Sequence, residues 1–466
     1  MVLAIVFTVL IAAYTKQLYK KAHKKGIQSY LQNGLDQWDR QITNVFSKRD
    51  ESHGYVAALS FNGQQGAGIQ SLMSLQCWAA SFKLPIHILE PIMSKTTFVS
   101  FPPAKSTNRS NTFMRFSDFF DIQHFNRMSE SIGYPPLGER EEFFTTAPRD
   151  IVFIDIKSVP KNTSLGQRAA RVVWTAESEP DHKEHYCYQF KENSQLQQLA
   201  KENFCVVRIV EATHSLANHY IFSDKEVREV IFGNRLPKRV TVVFSMWRTP
   251  WYVANNELDN PLICKGAGYG SSKDQFLPSP RLLLDAKYYE TRFLSSSNEV
   301  AVMLRIEHMI EFVDQHKHST VDDCLVEAFR LTKEMQRLGQ PMVTMDVGKF
   351  GSGYWTTLVH KRGVDIEKLT EKSKLLLTSL FDDKRSFEEW EESFTQASRG
   401  VENSGYIAAL QRTLASRAKC LVLVGGGTFQ DLAVKDYMKN HPNKEDQCVH
   451  FVCVKNKESL GKTVHH

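Results

Sequence analysis

Three consecutive glycines near the C-terminal end of the chain form the strongest candidate site. Residues 425–427 follow the apolar run of residues 420–424, and Thr428 and Phe429 come next. If the apolar run is a strand, the glycines lie beyond its carboxyl end, where open α/β sheets bind their ligands. Glycine N–H groups can approach an anion closely, the next helix N-terminus adds partial positive charge, and we expect Thr428 to cap that helix and contact a phosphate. The alternative is a tight turn without a ligand.

Arg305 is the second candidate, because it comes directly after the apolar run of residues 300–304. A strand over this run places its guanidinium at the carboxyl edge of the same predicted sheet. A buried guanidinium needs an anionic partner, and it binds phosphate oxygens in a fork. A diphosphate leaving group satisfies both requirements. The alternative is an ion pair with Glu307 or Asp346.

A second glycine-rich segment, residues 62–68, follows the apolar run of residues 55–61. Gly66 and Gly68 predict a tight turn from strand to helix. Gln70 is then expected in the first helical turn, facing a cleft between domains. The alternative assigns these positions to packing glycines and an exposed glutamine.

Strands alternate with helices along most of the chain, which predicts a doubly wound α/β fold. The predicted strands cover residues 55–61, 86–92, 150–157, 204–210, 239–247, 299–306, 341–346, 420–424 and 448–454. The predicted helices cover residues 69–82, 322–339 and 404–419, and a further helix begins after Phe429. Residues 266–280 are rich in Gly, Ser and Pro and are interpreted as a hinge.

These patterns divide the chain into six predicted parts. They are a signal anchor or signal peptide (1–15), a stem (16–54), an N-terminal Rossmann-like domain (55–265), the hinge (266–280), a C-terminal Rossmann-like domain (281–455) and a tail (456–466). Residues 2–14 are apolar and uncharged but shorter than the ~20 residues of a full span, and they indicate a membrane-targeting segment. The lysines that follow favour a cytosolic C-terminal side, unless the segment is cleaved or the start is incomplete.

Other features favour the secretory pathway, with an ER or Golgi membrane and a lumenal catalytic region. Asn108 and Asn162 begin glycosylation sequons, and none of the eight cysteines has metal-ligand spacing. These cysteines are compatible with disulfides or with buried thiols, and Cys77 and Cys420 stand in apolar runs that indicate core. The net charge of +6 suits an anionic ligand, and the sequence carries no nucleic-acid-binding signature. A cytosolic α/β protein whose N-terminal segment merely packs is the alternative.

Taken in order, these segments resemble the GDP-fucose protein O-fucosyltransferases. That family has a glycine-rich turn after its first strand, a strand ending in arginine, a strand ending in aspartate, and a glycine loop followed by Phe. The corresponding positions here are Gly66, Gly68, Gln70, Met303, Arg305, Asp346, Gly425, Gly426, Gly427, Thr428 and Phe429. The resemblance spans most of residues 55–435.

The resemblance implies a GT-B fold, with two Rossmann-like domains facing across a cleft. It further implies inverting transfer of fucose from GDP-fucose to a hydroxyl of a protein or glycan, without a metal or other cofactor. Arg305 would be the catalytic residue that stabilises departing GDP. The donor would be bound by Gly66, Gly68, Gln70, Asp346, Gly426, Gly427, Thr428 and Phe429.

The sequence departs from the family at several positions. Met303 stands where the family usually has His, and the first glycine-rich segment lacks the glutamate that serves one branch as general base. Glu307 is the candidate carboxylate near Arg305, and His308 is predicted to lie on the surface. These departures support a second hypothesis, a catalytically inactive, membrane-tethered relative that binds a glycan or a protein.

Overall fold

The computed structural model describes the parts of the chain that form its sheets and most of the connecting helices. The described residues are 54–61, 65–80, 86–94, 97–101, 113–131, 133–159, 171–176, 187–188, 199, 202–215, 240–246, 276–294, 300–315, 320–335, 341–346, 363, 365, 367–368, 371, 387–401 and 403–454. All fall within the contact-defined unit Ser52–His466. The predicted targeting segment, the stem except Gly54, most of the hinge and both sequons lie outside them. No helix within these ranges has the length and apolarity needed to cross a bilayer.

The first half of the chain builds a seven-stranded sheet and a smaller three-stranded one. Numbered along the chain, the strands are β1 (Gly54–Ala58), β2 (Ile86–Leu89), β3 (Ile92–Ser94), β4 (Thr97–Val99), β5 (Phe113–Arg115), β6 (Leu137–Gly138), β7 (Asp150–Val159), β8 (Arg171–Thr175), β9 (Cys205–Ser215) and β10 (Thr241–Phe244). The large sheet has the order β6-β2-β1-β10-β7-β9-β8, and all its neighbours are parallel except β8 and β9. Strands β4, β3 and β5 form the antiparallel small sheet.

The second half builds a four-stranded parallel sheet with the order β12-β11-β13-β14. Its strands are β11 (Val300–Arg305), β12 (Pro341–Asp346), β13 (Cys420–Val424) and β14 (Cys448–Val452). Strands β11 and β13 are buried along their whole length. Continuous apolar runs of this kind are typical of parallel strands covered on both faces. Because the strands are parallel, their carboxyl ends share one edge.

Helices connect and cover these strands. They are α1 (Gln65–Ala80), α2 (Phe116–Phe119), α3 (Ile122–Ser131), α4 (Arg140–Thr146), α5 (Pro280–Phe293), α6 (Ile306–Gln315), α7 (Val321–Met335), α8 (Phe387–Ala397), α9 (Ser404–Ala415) and α10 (Thr428–Asn440). Side chains set several of the starts. Ser279 accepts a hydrogen bond from the Leu282 N–H at 3.0 Å before α5, and Asn403 accepts one from the Tyr406 N–H at 3.0 Å before α9.

The mixed α/β class with mainly parallel sheets is confirmed, and the predicted bounds of β12 and β13 match. Two local predictions are wrong. Helix α1 begins at Gln65, so Gly66 and Gly68 lie inside a helix instead of forming a turn, and Gln70 is beyond its first turn. The predicted strand over residues 86–92 is two strands, because Pro91 has no N–H to continue the ladder.

Elements from the two halves contact each other within the unit. Asn403 donates its side-chain amide to the Met93 carbonyl at 3.2 Å, and Arg281 pairs with Asp118 at 2.7 Å. Helix α1 also packs against α10. The predicted division into two domains at residues 266–280 stays a prediction.

Three disulfides join described residues: Cys187 to Cys205, Cys324 to Cys453 and Cys420 to Cys448. Cys420 was expected in the core, and it is both 2% exposed and disulfide-bonded to its register partner on β14. The Cys324–Cys453 disulfide ties α7 to the residue that follows β14.

Candidate functional site

The carboxyl edge of the second sheet brings together the three segments singled out in the sequence. Arg305 is the last residue of β11 and lies opposite Asp346, the last residue of β12. On the other side, the ladder between β11 and β13 ends at Leu304 and Val424, and the glycine turn follows directly. The Arg305 side chain is 6% exposed. A buried cation therefore lies beside the end of the strand that leads into the glycines.

The glycine turn, residues 425–427, has a backbone that other residues rarely adopt. Gly425, Gly426 and Gly427 have φ values of +93°, +80° and +110°. A Cβ on Gly425 would fall 2.3 Å from the Arg305 carbonyl oxygen and 3.1 Å from the Met309 nitrogen. Glycine is thus required here by the backbone angle and by close contact with the Arg305 backbone.

The glycine turn is fixed on the C-terminal strand and on its own helix. The Gly425 N–H donates to the Val452 carbonyl at 3.0 Å, and the Asp431 N–H donates to the Gly427 carbonyl at 3.0 Å. A Cβ on Gly426 would lie 3.0 Å from the Val454 side chain. The strand β14 and the residue pair after it therefore support the turn from one side.

Helix α10 starts immediately after the turn. Thr428 was expected to cap it, but the N-cap residue is Gly427, with no side-chain hydrogen bond capping the helix among the described residues. Thr428 is already the first helical residue, so the capping prediction is wrong. The N–H groups in the first turn of a helix have no acceptor within that helix. Together with the helix dipole, they favour the binding of an anion at the N-terminal end.

His308, which was predicted to lie on the surface, has a side chain that is 22% exposed and lies against the glycine turn. A Cβ on Gly427 would fall 2.8 Å from His308 Nε2, and His308 Nδ1 is 3.3 Å from a carboxylate oxygen of Glu311. The residue occupies the first turn of α6, which starts directly after Arg305 without a loop. That direct junction of strand and helix is the signal that could have placed His308 at the edge.

Asp431 is a second residue that the sequence did not single out. Burial raises the pKa of its carboxyl group to about 6, against the opposing influence of Lys435, His308 and Arg305. A carboxylate in the first turn of a helix is stabilised by the helix dipole. The edge therefore combines cationic groups with a carboxyl group whose pKa is raised to about 6 by burial.

Phe429 packs under a buried arginine. The Arg412 guanidinium lies 6.0 Å from the centre of the Phe429 ring and 5.6 Å from that of Phe120. Arg412 has a side chain that is 2% exposed, and it pairs with Asp436 at 3.1 Å. A cation over an aromatic face is attracted by the ring electrons, so this contact fixes the Phe429 ring beside the turn.

The predicted residues of the first half occupy α1, the helix that packs against α10. A Cβ on Gly68 would fall 2.6 Å from the Phe98 ring, so Gly68 is a packing glycine. The side chains of Gln70, Glu307, Asp346 and Thr428 lie outside the described part, as do Asn108 and Asn162. No group of three or more His, Cys, Asp or Glu side chains that could hold a metal is found among the described residues, and metal independence stays a prediction.

Comparisons with known proteins give structural neighbours only. No protein-family model matches the sequence, and no curated protein matches it. Crystal structures of POFUT1 are similar to this structure. The apo form has a TM-score of 0.45 at 12% identity over 87% of this chain and 99% of that chain, and the complex with GDP-fucose has 0.46 at 10% identity over 88% and 99%.

Proposed function

We propose that this chain is an inverting glycosyltransferase that binds the diphosphate of a sugar nucleotide at the carboxyl edge of its second sheet. One observation carries the proposal. Arg305, buried at the end of β11, is in backbone contact with a turn of three positive-φ glycines that leads into the N-terminus of α10. A guanidinium and a helix N-terminus at one edge form a complementary site for phosphate oxygens.

The reaction follows from the charge that develops when a sugar leaves its nucleotide. Departing nucleoside diphosphate gains negative charge, and fixed cationic groups at that position stabilise the transition state. Arg305 would supply the largest part of this stabilisation, and the α10 N-terminus the remainder. Chemistry of this kind needs no metal ion for the leaving group.

The donor that we propose is GDP-fucose, with a hydroxyl of a protein or glycan as acceptor. This choice rests on the ordered resemblance of Arg305, Asp346, Gly426, Gly427, Thr428 and Phe429 to the O-fucosyltransferases. The three disulfides support a place in the oxidising secretory pathway, because such bonds are rare in the cytosol. The membrane tether, an N-terminal apolar anchor, remains part of the proposal.

The first experiment is calorimetric titration of the folded protein with GDP, GDP-fucose, UDP and ADP. We expect GDP and GDP-fucose to bind in preference to the other nucleotides and to raise the melting temperature. Arg305→Ala should lower GDP affinity by about 30- to 100-fold through loss of a charge-assisted contact. It should also abolish release of GDP from GDP-fucose.

Arg140→Ala is the matched control. Arg140 is also buried, at 9% exposure, but it donates to the carbonyls of Glu90 and Ser100 in the first half. We expect this variant to lose stability while its folded fraction keeps the GDP affinity of the original chain. Turnover that survives in Arg305→Ala would remove Arg305 from the mechanism, and absence of GDP binding in the unaltered chain would overturn the proposed donor.

The second candidate function is a nucleotide-binding protein without transferase activity. Met303 favours it, because this residue is 2% exposed and packs in the core at the position where the resembling family usually has His. Binding of GDP-fucose without release of GDP, in the presence of protein and glycan acceptors, would support this candidate over the first.

A further inference from the structure

Gln430 lies beneath the junction of Arg305 and the glycine turn. Its side chain is 1% exposed, and its amide nitrogen donates to the Met303 carbonyl at 2.8 Å and to the Val424 carbonyl at 3.0 Å. Met303 stands two residues before Arg305, and Val424 stands immediately before the turn. One side chain from α10 is thus bonded to both segments that form the anion site.

The orientation of this amide follows from its partners. Carbonyl oxygens accept hydrogen bonds and cannot donate them, so the amide nitrogen and not the oxygen must face Met303 and Val424. The Gln430 side-chain oxygen is buried and has no hydrogen-bond partner among the described residues. Burying an unsatisfied acceptor is unfavourable, and a residue with purely apolar packing would avoid it. The two donated bonds are therefore the reason to expect glutamine here.

The location of these bonds gives them their effect. The ladder between β11 and β13 ends at Leu304 and Val424, so backbone pairing does not hold these two strands together beyond that point. The Gly425 backbone nevertheless approaches the Arg305 carbonyl closely. Gln430 supplies a cross-strand link at the place where the ladder stops.

We propose that Gln430 is a positioning residue that sets the spacing between Arg305 and the glycine turn, and thereby the affinity for a nucleoside diphosphate. The inference rests on the proposed function, because it assigns the ligand to the same edge. Gln430 itself contacts protein carbonyls and not the ligand. Its role is to keep the guanidinium and the N–H groups of the turn at the separation that two phosphates require.

Gln430→Met tests this role, because methionine has a similar length and volume but cannot donate. Gln76→Met is its matched control. Gln76 is 0% exposed, its amide nitrogen donates to Ser129 Oγ at 3.0 Å and to the Pro135 carbonyl at 2.8 Å, and its side-chain oxygen also lacks a described partner. Both substitutions remove two buried hydrogen bonds, but only Gln430 reaches the anion site.

The measurement is GDP affinity by calorimetry, at a temperature at which circular dichroism shows both variants folded. We expect Gln430→Met to weaken GDP binding at least about tenfold, as loss of one or more hydrogen bonds allows. Gln76→Met should bind GDP like the unaltered chain. Equal GDP affinity of Gln430→Met and Gln76→Met would overturn the inference while leaving the proposed function intact.

Gln430→Asn gives a second variant if the methionine form does not fold. Asparagine keeps the amide but is one methylene shorter, so it reaches at most one of the two carbonyls. We expect an intermediate loss of GDP affinity, and unchanged affinity would count against the positioning role. Failure of the unaltered chain to bind GDP at all would overturn the proposed function and this inference together.

Discussion

The two glycine-rich segments of this chain look alike in sequence and serve different physical purposes. Gly68 lies within α1, and its missing side chain leaves room for the Phe98 ring. Gly425, Gly426 and Gly427 lie between β13 and α10 with positive φ, and Gly425 is in contact with the Arg305 backbone. The first segment uses glycine for packing, and the second uses it for backbone shape. Only a turn of the second kind leaves N–H groups free of helical partners to meet a ligand.

Gly425→Ala is the change that should separate the two segments most strongly. The new Cβ would fall 2.3 Å from the Arg305 carbonyl oxygen, and a backbone atom cannot move aside as a side chain can. We expect a loss of more than about 4 kcal/mol in the free energy of unfolding, measured with urea. GDP binding should be lost with it.

Gly400→Ala is the control for the backbone angle. Gly400 has φ of +79°, and its added Cβ would meet no described atom within 4 Å. We expect a cost of about 1–2 kcal/mol, which is the price of the left-handed conformation alone. If Gly425→Ala costs no more than Gly400→Ala, the close contact with Arg305 does not govern the turn.

Gly427→Ala should have the next largest effect. Its φ of +110° and ψ of +163° belong to a region that is essentially restricted to glycine, and the Cβ would meet His308. We expect a loss of about 3 kcal/mol in the free energy of unfolding. In a double-mutant cycle, adding His308→Ala should restore about 1 kcal/mol of the lost free energy of unfolding, which is the part caused by the clash with His308. Full recovery would mean that the backbone angle contributes nothing.

Asp431 should make stability near the second segment depend on pH. Its folded pKa of about 6 exceeds the unfolded value, so the folded state binds the proton more tightly. Stability therefore decreases as pH rises from about 4 to about 6. The full pKa difference corresponds to about 3 kcal/mol, and solvent screening of the partly exposed group reduces it to about 2 kcal/mol. Asp431→Asn should remove this decrease in pH-dependent thermal melts.

Asp323→Asn provides the control of opposite sign. Hydrogen bonds from Thr320 lower the pKa of Asp323, so its contribution to stability is present at neutral pH and is lost as pH falls. If the stability of Asp431→Asn still decreases as pH is raised, the effect belongs to another titrating group.

Gly68→Ala should have a smaller effect than Gly425→Ala, Gly427→Ala and Asp431→Asn. Its Cβ meets a ring edge at 2.6 Å, and a side chain can shift. We expect a cost of about 1–2 kcal/mol, typical of moderate overpacking. Phe98→Leu in the same chain should relieve part of it, and GDP affinity of the folded protein should stay the same. Loss of GDP affinity in Gly68→Ala would give this segment a binding role as well.

The predictable parts of the fold are those set by long apolar runs and by glycine. Strands β11 and β13 can be predicted directly from the sequence because parallel buried strands are apolar on both faces. The bounds of β12 also follow from its sequence. Their shared carboxyl edge then follows from topology, and with it the meeting of Arg305, Asp346 and the glycine turn.

The rest could not be predicted because it depends on contacts between distant segments. Gly66 and Gly68 suggest a turn by propensity, yet both lie in a helix, and Gly68 packs against Phe98. Gln430 and Arg412 are polar residues within helical patterns, and only the structure shows that both are buried. His308 reads as a surface residue until α6 is seen to start without a loop after Arg305.

The support that β14 gives to the glycine turn has a consequence for how the protein is made. The Val452 carbonyl holds Gly425, and Cys453 closes a disulfide with Cys324, 129 residues earlier. Synthesis proceeds from the N-terminus, so Val452 and Cys453 leave the ribosome after nearly all the other described residues. Protein released before β14 is made would carry Arg305 and the glycines but no fixed geometry for them. The candidate site should therefore mature only once β14 has emerged from the ribosome, in step with oxidation of the Cys324–Cys453 pair.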